Sequence, residues 1–177
     1  MLGAVRGECG NRVNERRRLP VGDSNERKPA GPPLPFPLDR HSFVFRYRRR
    51  FKSNTDGINR AVNDIMKNAK VKGVLAKHQA ELEIALREAL ANAVMHGNRQ
   101  DATKQVLVRA YCDPKQGFVV AVRDEGNGFD PDTVPDPRQE DRQLLSHGRG
   151  IFLMRELMDH IEHRKGGREV VLFKKLH

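Results

Sequence analysis

Cysteine is nearly missing from this sequence. Cys9 and Cys112 are the only two, and no spacing pairs them. That excludes a disulfide scaffold and a CxxC metal site, and it fits a reducing, cytoplasmic compartment. Long apolar runs are missing too. Nothing approaches the ~18 apolar residues needed to span a bilayer, and the N-terminus from Met1 to Arg6 has no apolar core of a secretory signal, so no membrane association is expected. Aromatic residues are scarce at 6%. They are not interleaved with the N-terminal cations, as a stacking platform for nucleic acid would require. Acidic residues are thin in the first 50 positions, with 5 Asp/Glu against 12 Lys/Arg, whereas the remainder holds 18 against 21. The net charge of +10 therefore belongs largely to the first 50 residues, and it reads as a solvated tail rather than as a nucleic-acid-binding arm.

Several catalytic signatures are absent as well. There is no GxxxxGK[ST] phosphate loop and no HExxH zinc helix. Gly148-Arg149-Gly150 has the start of a dinucleotide-binding turn, but Leu153 stands at the third-glycine position and no strand leads into it. His147, His160 and His163 lack companion ligands and read as surface or packing residues.

What remains is a chain of 177 residues, long enough for one domain with a real core. Residues 1–38 carry six prolines among Gly, Arg and Asn and are expected to be a disordered basic leader; residues 39–177 form the domain. Phe43, Phe45 and Tyr47 alternate with Val44, Arg46 and Arg48, which predicts a first strand whose charged end, Arg48 to Arg50, suits a sheet edge. Ile58, Val62, Ile65 and Met66 predict a helix over 55–69. A longer helix is expected over 78–96. Leu82, Leu86, Ala89, Leu90 and Ala93 lie on its apolar face, with Glu81, Ala85, Glu88 and Asn92 on another, and Gly97 suits a left-handed cap at its end.

Strands over 105–111 and 117–123 follow as a hairpin, then a loop of nearly twenty residues over 129–147, a length that is usually functional inside a compact domain. A helix over 150–159 and a final antiparallel pair, 160–164 and 169–175, close the chain. The order βααββ–loop–αββ implies an α+β fold, a two-layer α/β sandwich with a mixed, mostly antiparallel sheet and helices on one face.

Three clusters carry candidate chemistry. Glu88 and Asn92 sit one helical turn apart, so a carboxylate that can accept a proton lies beside an amide oxygen suited to a hard cation such as Mg²⁺. Asp124 closes a strand, where a fixed carboxylate can accept a hydrogen bond from an exocyclic amine; Gly126 and Gly128 clear space for a flat base. Gly148, Arg149 and Gly150 open a helix whose free N–H groups suit phosphate. Each alone is an ordinary feature: a solvated i,i+4 pair, an Asp-Gly turn, a flexible helix entry. Their order and separation carry the information.

In that order the boxes Glu88-x-x-x-Asn92, Asp124-x-Gly126-x-Gly128 and Gly148-x-Gly150, with a lid before the last, resemble the Bergerat (GHKL) ATP-binding fold of histidine kinases, gyrase-type and Hsp90-type ATPases and anti-sigma serine kinases. The longer stretches Glu88 to Asn98, Asp124 to Pro131 and Gly148 to Asp159 are most similar to the RsbW/SpoIIAB-like anti-sigma factor kinases, and the likeness covers about residues 41–175. The resemblance implies ATP and Mg²⁺ as cofactors and a serine/threonine-protein kinase activity. It casts Glu88 as the general base, Asn92 as the Mg²⁺ ligand and Asp124 as the adenine reader. Gly126 and Gly128 flank the base, residues 129–147 form the lid, and Gly148, Arg149 and Gly150 meet the phosphates.

It also implies a STAS-domain anti-anti-sigma protein as substrate, a sigma factor as the competing partner, and a homodimer. The alternative from the residues is a non-catalytic ATP-binding protein that sequesters a sigma factor or STAS partner. This chain departs from the pattern at Arg168, where relatives carry Thr or Ser after the last hairpin glycine.

Overall fold

A computed structural model describes residues 43–71, 77–113, 115–130 and 149–176. The expected leader, most of the expected lid and Gly148 lie outside the described residues. Among the described residues five strands form one sheet: β1 (Phe45–Lys52), β2 (Gln105–Asp113), β3 (Gly117–Arg123), β4 (His160–Arg164) and β5 (Glu169–Lys174). Their spatial order is β1-β2-β3-β5-β4, and every pairing is antiparallel. Helices α1 (Thr55–Val71), α2 (Gln79–Ala91) and α3 (Arg149–Leu157) complete the α+β arrangement. The element order matches the order read from sequence.

β1 lies at the edge, as its cationic run suggests. It begins two residues later than the aromatic alternation indicates and runs on through the arginines. Period two persists there: Tyr47, Arg49 and Phe51 turn toward α1, with Tyr47 Oη donating to Asp64 Oδ2 at 3.3 Å and Arg49 forming an ion pair with the same carboxylate. Phe43 and Val44 still follow the sheet, since the Val44 N–H donates to the Cys112 carbonyl at 3.0 Å and the Phe43 ring meets Tyr111.

α1 starts where Asn54 Oδ1 accepts a hydrogen bond from the Gly57 N–H at 2.8 Å, an N-cap bond. Its stripe of Ile58, Ala61, Val62, Ile65, Met66 and Ala69 is buried. α2 buries Leu82, Ala85, Leu86, Ala89 and Leu90. Ala85 therefore belongs to the core and not to the polar face with Glu81 and Glu88. α2 packs against α1, α3 and β3 together, and Gln79, Ala80 and Ile84 are the positions it leaves exposed.

The inward residues of the sheet join this core: Val106, Val108, Ala110, Phe118, Val120, Val122, Val170 and Leu172. The cross-strand pairs Val119–Phe173 and Ala121–Val171 point the other way and form a second, smaller buried cluster. Cys112 lies in the main core, and burial pushes its thiol up to about 12, so it stays a protonated packing residue. No described helix is long and apolar enough to cross a membrane.

Candidate nucleotide site

The site is built along α2 and its continuation. After Ala91 the helix widens into a π-helical turn, Asn92–Gly97, in which the Asn98 N–H bonds to the Ala93 carbonyl at 2.8 Å, five residues back. Gly97 does not adopt the left-handed conformation that its place in the sequence suggests. The positive φ values fall instead on Arg99 (54°) and Gln100 (59°). Gly97 is needed for a different reason: a Cβ there would lie 2.5–2.8 Å from the carboxyl atoms of Asp124. Close approach, not backbone handedness, sets the residue.

At the N-terminal end of this stretch, Glu88 and Asn92 are half-buried and face the start of α3. A Cβ on Gly150 would sit 2.6 Å from Glu88 Oε2 and 3.5 Å from both amide atoms of Asn92. The structure thus brings together three predicted residues, Glu88, Asn92 and Gly150. The Asn92 N–H continues the helical ladder to the Glu88 and Ala89 carbonyls, while neither the Glu88 carboxylate nor the Asn92 side-chain amide hydrogen-bonds to a described residue, which leaves both polar heads available to a ligand. Arg149, the first residue of α3, is exposed. Among the described residues no cluster of three His, Cys, Asp or Glu could hold a metal by itself. A cation here would lean on the Asn92 amide oxygen and on oxygens of a bound phosphate chain, which is the usual habit of Mg²⁺.

At the other end, against Gly97, Asp124 is buried at 8% exposure. Its Oδ1 accepts from the Gly126 N–H at 2.8 Å, and its own N–H donates to the Arg168 carbonyl at 3.0 Å. Burial raises its pKa, while the Gly126 N–H and the nearby Arg168 and Lys104 charges pull it down. Gly126 is pressed against the Gly97 peptide, where a Cβ would fall 2.0 Å from the carbonyl oxygen. The loop after β3 is thereby held between the end of α2 and the β4–β5 turn.

Gly128 and Gly167 form the second contact of that loop. Phe129 N–H donates to the Gly166 carbonyl at 3.1 Å, and the edge of the Phe129 ring meets His163 at 5.4 Å. Gly128 has φ +79° and stands where a Cβ would be 1.9 Å from the Gly166 carbonyl oxygen. Gly128→Ala is expected to lower unfolding free energy by more than about 1 kcal/mol, since it combines a strained φ with a backbone clash. A urea titration checks this; an unchanged midpoint would mean that the β4–β5 turn yields at little cost. Arg168 contributes its backbone carbonyl to Asp124, a contact that does not depend on its side chain, which turns to the Lys165 carbonyl at 3.1 Å.

Sequence reasoning missed Asn98, Gln105 and Glu125. Asn98 is fully buried; its Nδ2 donates to the Gln105 carbonyl at 3.0 Å and its Oδ1 accepts from the Glu125 N–H at 2.8 Å. Glu125 Oε2 accepts from the Gln105 N–H at 2.9 Å and closes the triangle. The available signal was a polar residue directly after the helix-ending glycine, but nothing local marks it as buried.

Comparison with known proteins gives the family of the fold. Residues 51–174 match the histidine kinase-like ATPase domain family. The serine-protein kinase RsbW of Bacillus subtilis is 34% identical over 87 residues, 46% of this chain and 54% of the relative. RsbW of Bacillus licheniformis is 33% identical over 87 residues, with the same coverage. The chain spans about half the length of the curated relatives it matches. The family match covers most of the folded elements, from within β1 to the end of β5, and the chain belongs to the histidine kinase-like ATPase domain family.

Proposed function

We propose that the protein is an ATP-dependent serine/threonine-protein kinase of the anti-sigma type, acting on a STAS-domain anti-anti-sigma protein. The observation that carries the proposal is the placement of Glu88 and Asn92, one turn apart with free polar heads, against the glycine that opens α3. A module that only held nucleotide would have no use for an unpaired carboxylate at that point. The two RsbW relatives, named serine-protein kinases, support the same reading.

In this reading Asp124 accepts a hydrogen bond from the adenine amine at the far end of α2. Gly126 and Gly128, packed against the Gly97 and Gly166 carbonyls, hold the loop that flanks the base, and Gly148, Arg149 and Gly150 receive the phosphates with the N-terminal dipole of α3. Asn92 would hold Mg²⁺, which supplies charge neutralisation at the transferring phosphoryl group. Glu88 orients the attacking hydroxyl and takes its proton, the γ-phosphorus–oxygen bond to ADP breaks, and the new phosphoester forms on the partner's serine or threonine. Phosphorylation then decides whether the kinase engages the STAS protein or a sigma factor in the cytoplasm.

The test is direct. Incubated with γ-labelled ATP, Mg²⁺ and a STAS-domain protein encoded beside it, the chain is expected to label that protein on a hydroxyl side chain. Tight ATP binding with no label on any such partner would reject the kinase and leave a nucleotide-bound sequestering protein in its place.

A further inference from the structure

Among the described residues Asn98 is the one polar side chain with no exposure at all, and it follows directly on the π-helical turn of the site. It is not aimed at the ligand space; both its side-chain bonds go to backbone. One goes to the start of β2 and the other to Glu125, the residue immediately after Asp124. Its own N–H closes the π-helical turn on Ala93. The peptide before it, Gly97, touches both the Asp124 carboxyl and Gly126. A single amide thus ties down both walls around that carboxylate. The Gly97 wall is fixed from the helix side and the Glu125 wall from the strand side.

We infer that Asn98 is a positioning residue for base recognition, holding the Asp124 carboxylate where it selects an amine-bearing purine over one bearing a carbonyl. The inference rests on the nucleotide reading above, in which Asp124 meets the base. Without Asn98 the Glu125 N–H and the Gln105 carbonyl lose a part-buried partner that no other side chain replaces, and the segment they anchored is released to shift its backbone. The backbone nearest to hand is the Asp124–Gly126 loop. A carboxylate displaced by even 1 Å no longer meets the amine at hydrogen-bonding distance. The rest of the nucleotide, held by α3 and by Asn92, is untouched by that shift.

Calorimetric titration of the full chain with ADP and with IDP, whose base carries a carbonyl oxygen in place of the amine, reads this out. The wild type is expected to prefer ADP. Asn98→Ala is expected to lose at least about tenfold in ADP affinity while IDP affinity moves by less than about threefold. Asn98→Ser, whose hydroxyl is too short to reach Glu125, is expected to behave like Asn98→Ala and decides the matter if the alanine variant does not fold. Asn98→Asp keeps an acceptor for the Glu125 N–H but sets a buried carboxylate oxygen against the Gln105 carbonyl, so it too is expected to lose ADP affinity selectively. Equal losses for both nucleotides would reduce Asn98 to a general structural residue, and an undisturbed preference would also overturn the inference while leaving the site intact. A wild type that binds neither nucleotide would remove the site and the inference together.

Discussion

Under the proposed kinase reading, Glu88→Gln is expected to lower phosphoryl transfer to a STAS-domain protein by about 10²–10⁴-fold, the usual contribution of a positioned general base. ATP affinity should stay close to that of the wild type. The substitution keeps the shape of the side chain and removes only its capacity to take a proton. Its surroundings support so selective an effect. α2 is anchored by Leu86, Ala89 and Leu90, all at or below 1% exposure, so the backbone beneath Glu88 has no freedom to adjust. The carboxylate makes no hydrogen bond to a described residue, so little structure depends on it. Transfer measured with labelled ATP beside nucleotide binding by calorimetry separates the two quantities. A variant retaining more than about a tenth of wild-type transfer would move the base to another residue.

Asp124→Asn is expected to weaken ADP binding by about 10–100-fold, the cost of replacing a charged acceptor in a buried hydrogen bond. The same change should raise the melting temperature of the nucleotide-free protein. The two effects have one cause. Burial raises the Asp124 pKa above its ordinary value, so the folded state holds this proton more tightly than the unfolded chain does. A raised carboxylate pKa means that stability grows as pH falls through the window above the ordinary carboxylate range. It also means that the ionised group is a net cost at neutral pH. Asparagine removes the cost and can keep the Gly126 N–H bond. Adenine binding by the wild type should correspondingly weaken as the solution is made acidic through that window, because the protonated oxygen no longer accepts. Undiminished ADP affinity in Asp124→Asn would take Asp124 out of the base site. A lower melting temperature would show that its charge is held by compensating contacts.

The element order was legible because period two and period 3.6 are written in the apolar residues themselves. Ile58, Val62, Ile65 and Met66 mark α1, and the β3 and β5 stretches pair Val120 with Leu172 and Val122 with Val170 in the core. Glu88, Asn92 and Gly150 were legible as a group from their order along the chain, and the fold brings them within contact. What the residues did not reveal depends on packing from outside the local window. Ala85 shares a stripe with Glu81 but is fully buried, because α2 is covered by two helices and the sheet. Gly97 has the place of a cap, and its role is set by an aspartate 27 positions away. The π-helical turn has no signature of its own; it ends at Asn98, which is fastened to Gln105 and Glu125 from far along the chain.

That widened turn has a consequence for how the chain tolerates change. A π-helical turn is an α-helix holding one residue more than its hydrogen bonds need. Removing one residue between Asn92 and Gly97 would restore regular helical bonding and locally relax the backbone. It would also rotate everything beyond by about 100°, the angle per residue of an α-helix. Glu88 and Asn92 would keep their place against α3, while Asn98 would swing away from the loop that carries Asp124. Side chains in the turn, such as the exposed Met95, are open to substitution, but the number of residues is not. The distance from Glu88 and Asn92 to the loop that carries Asp124 is recorded in the chain as a count.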